Sequence, residues 1–251
     1  MCLVVIAVRP VPGLALVVAA NRDELHARPS SALAAWPDAP QIVAGRDLEA
    51  GGTWLGVTAA GRFASVTNVR SPEARREGRS RGELVRTFLE SDASPELWTA
   101  SLAARDDAYP AFNLIVADRE TVLYTNERGE PPVALGPGIH GLSNARMDVP
   151  WPKVSIGQRA MARAIAANGD VDTEMLFTML RDETKARDED LPATGVPLEA
   201  ERFLSSVFLR SEPYGTRCST VVVRRENGRG SIEEQRFDAH GEPTERTRIE
   251  L

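Results

Sequence analysis

Cys2-Leu-Val-Val-Ile-Ala-Val8 and Leu14-Ala-Leu-Val-Val-Ala-Ala20 flank Arg9-Pro-Val-Pro-Gly13, and the second run breaks off into Asn21-Arg-Asp-Glu24. Two prolines and a glycine force a turn between the runs, so the pair predicts a β-hairpin. Neither run alternates with polar residues, and both faces of the hairpin are therefore expected to be covered. Asn21 to Glu24 would then lie across the hairpin from Cys2, because the chain goes up one strand and returns down the next.

Working outward, 53–58 and 62–69 predict a second hairpin around Ala59-Ala-Gly61, rich in β-branched and aromatic residues. An Arg-rich connector over 71–82 leads to helical spacing at 83–90 and 95–104. Strand signals return at 111–117, 121–125, 132–135 and 139–142, followed by helices over 153–167 and 173–181. The acidic stretch 182–190, continuing to 197, is expected to be a loop, with three readings open: a border to a ligand entrance, a lid, or a merely solvated loop. Strands at 206–210, 217–225, 231–238 and 247–251 complete the chain. Blocks of strands and helices without strict alternation predict an α+β fold with mainly antiparallel sheets. A single domain over 1–251 is expected, with the first and last strands meeting at the centre of one sheet.

Composition narrows the function classes. A chain of 251 residues that is 42% hydrophobic and 26% charged is an ordinary globular sequence, which excludes disordered, collagen-like and disulfide-scaffold classes. A net charge of −6 and a pI near 5.3 argue against wholesale attraction to nucleic acid or an anionic membrane. Lys153 and Lys185 are the only lysines, so positive charge is carried almost entirely by guanidinium groups. Cys2 and Cys218 are too far apart for a metal clip, and no metal site is expected. The first apolar run has no basic segment before it and no small-residue cleavage site after it, so it is a strand and not a signal peptide. No run approaches the roughly 20 apolar residues of a membrane span, and the expected location is the cytoplasm.

Two motif matches lack the context that would make them functional. Gly78-Arg-Ser-Arg-Gly82 fits a nucleophile elbow, but a charge run and not a buried strand precedes it, so Ser80 is expected to cap a helix. Gly136-Pro-Gly-Ile-His-Gly141 fits a dinucleotide fingerprint with a proline inside it and no helix after it, so a turn is expected. His140 and His240 are isolated. His26 lies close to the 21–24 cluster and is expected to support it.

Cys2 is where chemistry becomes legible. A methionine followed by a small residue is normally removed, which would leave a thiol and a free α-amine on one residue. The α-amine titrates near 7.7–8.0, so about a third is neutral near pH 7.5 and able to take a proton. Such a cysteine carries its own general base. Arg22 would lower the thiol pKa, and Asp23 would orient or polarise the amine.

These residues, together with Arg28-Pro29, Gly45-Arg-Asp47, Gly51-Gly-Thr-Trp-Leu-Gly56, Thr67-Asn68, Ser80-Arg-Gly82, Phe112-Asn-Leu114, Leu142-Ser-Asn-Ala145, Trp151-Pro-Lys153 and Tyr214-Gly-Thr-Arg217, resemble the NRDE family over nearly the whole chain. This is the transport and Golgi organization protein two family. The family looks like N-terminal nucleophile (Ntn) hydrolases, which implies a four-layer α/β/β/α sandwich. Hydrolases of that fold acting on conjugated bile acids and penicillin V use an N-terminal Cys, a nearby Arg and Asp, two Asn and a later Arg. By order along the chain, the resemblance implies catalytic roles for Cys2, Arg22, Asp23, Asn68, Asn144 and Arg217, with Asn21, Glu24, His26 and Trp54 lining the substrate.

The implied reaction is hydrolysis of a linear, non-peptide N-acyl amide through a Cys2 thioester, with Asn68 or Asn144 stabilising the oxyanion and no cofactor. An alternative from another class follows from roles proposed for animal members: a non-catalytic binder or trafficking protein for haem or an acyl lipid, using the same pocket. No axial haem ligand stands out among the isolated histidines and two cysteines.

Overall fold

The computed structural model describes residues 2–71, 74, 77–103, 109–126 and 130–251, with the backbone alone at 2 and 103. In chain order the first half contains β1 (Cys2–Val8), β2 (Leu14–Leu25), β3 (Ser30–Trp36), β4 (Ala39–Asp47), β5 (Leu55–Thr58), β6 (Phe63–Asn68), α1 (Gly82–Glu90) and α2 (Pro95–Ala103). Then follow β7 (Phe112–Ala117), β8 (Val122–Asn126), β9 (Val133–Ala134), β10 (Gly138–Leu142), α3 (Pro152–Ala164), α4 (Thr173–Leu180), α5 (Leu198–Leu204), β11 (Tyr214–Arg225), β12 (Gly230–Phe237) and β13 (Pro243–Glu250). These build an α+β protein with two antiparallel sheets, ordered β10-β1-β2-β11-β12-β13 and β3-β4-β5-β6-β7-β8-β9. The chain packs as two compact units. The first holds the six-stranded sheet with α3 to α5 and Arg70, the second the seven-stranded sheet with α1 and α2.

In the first unit the opening hairpin closes from Val8↔Leu16 to Cys2↔Arg22, with Gly13 at φ +85° supplying the turn. Period-two alternation sends Leu3, Val5 and Ala7 of β1 and Val17 and Ala19 of β2 toward Val154 and Met161 of α3 and Leu176 and Leu180 of α4. The opposite face is also buried, at Val4, Ile6, Leu16 and Val18. This two-faced burial is what the unbroken apolar runs require.

Five features differ from the sequence expectation. Strand β2 continues through Asn21-Arg-Asp-Glu24, because β1 and β11 bond it on both edges and fix polar residues in extended backbone. Strands β3 and β4 form from alanine- and proline-containing segments whose low β propensity hid them. A short helix, α5, follows Pro197, and 206–210 is not a strand. Ser80 gives only its main-chain oxygen to Glu83 N, and Arg81 occupies the cap of α1. Strand β2, not β1, meets the C-terminal strands, and β13 lies at the sheet edge.

In the second unit, Gly52 and Gly82 pack backbone against backbone. A Cβ on Gly52 would sit 2.5 Å from the carbonyl carbon of Gly82 and 2.6 Å from its oxygen, while Thr53 N donates to that oxygen at 3.2 Å. Gly52→Ala must push the start of α1 away and is expected to cost about 2 kcal/mol. Gly136→Ala, where an added Cβ meets nothing within 4 Å, is the neutral control. Thermal melts of the two variants check this, and equal melting temperatures would refute it.

Candidate functional site

Because β2 alternates, Asn21 and Asp23 point to the helix-packed face with Val17 and Ala19, whereas Arg22 and Glu24 belong to the other face. The two halves of the polar cluster therefore do different work. Asn21, expected at the substrate, is a clamp: its Nδ2 donates to Leu180 O at 2.8 Å and Val207 O at 3.0 Å, and its Oδ1 accepts from Ser219 Oγ at 2.6 Å.

Asp23 is 3% exposed and accepts from Thr216 Oγ1 at 2.7 Å, while Tyr214 Oη donates to its main-chain oxygen at 3.0 Å. The Thr216 hydroxyl is oriented by Leu209 N, which donates to it at 2.9 Å. Burial raises the Asp23 carboxyl above its ordinary value, and the charges of Lys153 and Arg70 with the Thr216 bond oppose that rise. Lys153 stands in the first turn of α3 and is 1% exposed.

On the other face Arg22, Cys218 and Arg236 form a cross-strand row over β2, β11 and β12, and the backbone register continues from Arg22 to Cys2 of β1. Arg22 Nη2 lies 3.9 Å from Glu24 Oε2. Burial, with Glu234 beside it, pushes the Cys218 thiol well above its ordinary value and away from reactivity. Strand β2 separates the two cysteines, so their strands are about 10 Å apart, beyond the reach of a disulfide. Arg217 is the extra residue of a β-bulge between Thr216 and Cys218, and its Nη1 donates to Leu25 O at 2.8 Å. Burial and the neighbouring Arg22 and Arg236 lower its pKa.

The backbone of residue 2 has residues of the expected site on both sides. On one side the register runs Leu3↔Asn21 and Cys2↔Arg22, so the main-chain nitrogen of Cys2 leads on toward Asp23. On the other side β10 ends with Leu142 opposite Val4, and Asn144 follows two residues on, at the Cys2 end of β1. Asn144 is fully buried, accepts from Arg70 N at 2.8 Å through its main-chain oxygen, and accepts from Ser143 Oγ at 3.2 Å through Oδ1. His26 is half-buried, with Nε2 3.0 Å from Ser211 O, and Gly215 leaves the room this ring needs. Asn68 ends β6 opposite Phe112, and Trp54 precedes β5 with its oxygen accepting from Val66 N, both within the second unit.

Two residues that the sequence reading did not name, Arg70 and Glu201, and one that it named without a role, Lys153, are charged side chains buried in the first unit. A signal existed for Lys153, one of only two lysines in the chain, placed just after a helix-starting proline. Among the described residues no group of three or more His, Cys, Asp or Glu side chains is arranged to hold a metal ion, and no helix is long and apolar enough to cross a membrane.

A family model described as Transport and Golgi organisation 2 matches residues 1–239. The Transport and Golgi organization 2 homolog of Mus musculus is 34% identical over 236 residues, covering 88% of this chain and 86% of its own. The corresponding protein of Drosophila melanogaster is 28% identical over 262 aligned residues, covering 92% and 90%. Among solved structures, the Caenorhabditis elegans N-acylethanolamine-hydrolyzing acid amidase ortholog aligns over 89% of this chain and 92% of its own, at 13% identity and a TM-score of 0.49.

Proposed function

The chain belongs to the Transport and Golgi organisation 2 family, and from that premise we propose that it is an N-terminal-cysteine amidohydrolase that cleaves N-acyl amides by acyl transfer. The observation that carries this reading is the β1–β2 register, which leads the nitrogen of residue 2 toward a buried carboxylate, Asp23, with Arg22 directly across the strand. In the reaction the α-amine of Cys2 takes the thiol proton as sulfur attacks the amide carbon. Collapse of the tetrahedral intermediate passes that proton to the leaving amine and leaves a thioester. Water then attacks the thioester, the α-amine again accepts a proton, and the carboxylic acid departs as the thiol re-forms.

Each neighbour has a defined part in that cycle. Asp23 orients the amine. Arg22 favours the thiolate at Cys2. Asn144, fixed by Arg70 and Ser143 at the end of β10, supplies an amide donor for the oxyanion. Arg217, on its bulge, presents a guanidinium to a carboxylate of the substrate.

The reading requires a free amine at residue 2. Intact mass and N-terminal peptide analysis of protein purified from cells should show Met1 lost and Cys2 unblocked. A retained Met1 or an acetylated Cys2 in all of the material would overturn the mechanism.

A further inference from the structure

The segment Tyr214-Gly-Thr216 of β11 converges on Asp23. Thr216 and Asp23 are register partners across β11 and β2, and the Thr216 hydroxyl donates to Asp23 Oδ1 at 2.7 Å. Leu209 N donates to the same hydroxyl oxygen at 2.9 Å, and Thr216 N donates back to Leu209 O at 2.9 Å. Tyr214 Oη donates to Asp23 O at 3.0 Å. Gly215 lets Leu209 come this near, since a Cβ there would lie 2.7 Å from Leu209 O.

A hydroxyl has one proton to give. Because Leu209 N donates to the Thr216 oxygen, that proton is directed to Asp23 Oδ1, and both side chains are buried. One pinned oxygen fixes the rotation of the carboxyl group, and with it the direction of Oδ2. The β-bulge is what brings the pair together. From Cys218↔Arg22 an unbroken register would continue to Arg217↔Asp23 and Thr216↔Glu24, whereas the extra residue moves Thr216 opposite Asp23. Satisfying a buried carboxyl requires only a donor within reach. Here a bulge, a close backbone approach and an aimed hydroxyl all meet on the carboxyl toward which the nitrogen of residue 2 leads.

We propose that Thr216 is a positioning residue of the Cys2 site: its hydroxyl, aimed by Leu209 N, fixes the Asp23 carboxylate for the α-amine, while Tyr214 holds the main chain of the same residue. The proposal rests on the acyl-transfer reading of Cys2. Neither Thr216 nor Tyr214 needs contact with the substrate for this.

The test is a double-variant cycle on turnover of fluorogenic N-acyl aminocoumarins, with kcat and KM measured separately. Thr216→Val keeps the shape and removes the hydroxyl, and it should lower kcat about tenfold with little change in KM. Thr216→Ser keeps the hydroxyl and should restore kcat to near the wild-type value. Asp23→Ala should be slower than Thr216→Val. Adding Thr216→Val to Asp23→Ala should bring no further loss, because a hydroxyl that acts through the carboxylate has nothing left to fix. If Thr216→Val fails to fold, Tyr214→Phe, which removes one partly buried oxygen, carries the same cycle with its own fall in kcat. Losses that multiply in the double variant, a loss carried by KM, or wild-type kcat in Thr216→Val would overturn the positioning role and leave the hydrolase reading standing. Absence of Cys2-dependent turnover in the wild type would overturn the hydrolase reading, and the positioning role with it.

Discussion

Cys2→Ala is expected to lower hydrolysis of the most reactive N-acyl aminocoumarin by about 1,000-fold or more, the scale on which nucleophile removal acts in acyl-transfer enzymes. The loss should appear in kcat, because the thiol forms its bond only during the chemical step. Cys218→Ser should leave turnover near the wild-type level, since burial and Glu234 hold that thiol protonated and β2 separates it from residue 2. Iodoacetamide should accordingly label one thiol per folded chain, at Cys2. The pH profile of kcat/KM should have an acid limb on which activity rises as the α-amine loses its proton. Wild-type turnover in Cys2→Ala, or labelling at Cys218 in place of Cys2, would remove the basis for an N-terminal nucleophile.

The opening hairpin was legible because its signal is local. Two apolar runs around Arg9-Pro-Val-Pro-Gly13 admit few other conformations, and the observed register places Arg22 opposite Cys2 as the up-and-back geometry demands. Strands β3 and β4 were not legible. Ser30–Trp36 is dominated by small residues, and its pairing with β4 skips register at Ser31/Ala34 and Ala35/Trp36, so neither propensity nor alternation marks it. The division of labour within Asn21-Arg-Asp-Glu24 was hidden for a different reason. Four consecutive polar residues look alike in sequence, and only an extended backbone with one face against α4 sends Asn21 and Asp23 one way and Arg22 and Glu24 the other. Arg70 escaped notice because its partners, Asn144 and Glu201, lie 74 and 131 residues away in the chain, a distance no local pattern spans.

That division makes Asn21→Ala a test of what the second residue pair of the hairpin is for. The substitution leaves the carbonyls of Leu180 and Val207 without the amide donor they share and the Ser219 hydroxyl without its acceptor, all in the interior. Losing a buried partner costs about 1–3 kcal/mol per stranded group, and partial relaxation keeps the sum below the total, so a loss of about 3–4 kcal/mol is expected by urea denaturation. Asn21→Asp keeps the shape but replaces a donor by an acceptor facing two carbonyls. Its carboxyl would be held above the ordinary range in the folded chain by burial and by those oxygens. A raised folded-state value means the unfolded chain releases that proton first as pH rises. Relative to wild type, Asn21→Asp should therefore be least impaired near pH 4 and lose stability on going to pH 7. The folded fraction of Asn21→Ala, assayed cold, should retain the wild-type KM, because Asn21 has both donors turned toward α4 and the segment after α5. A loss below about 1 kcal/mol, or a large rise in KM with stability intact, would return Asn21 to the substrate and leave the clamp without a function.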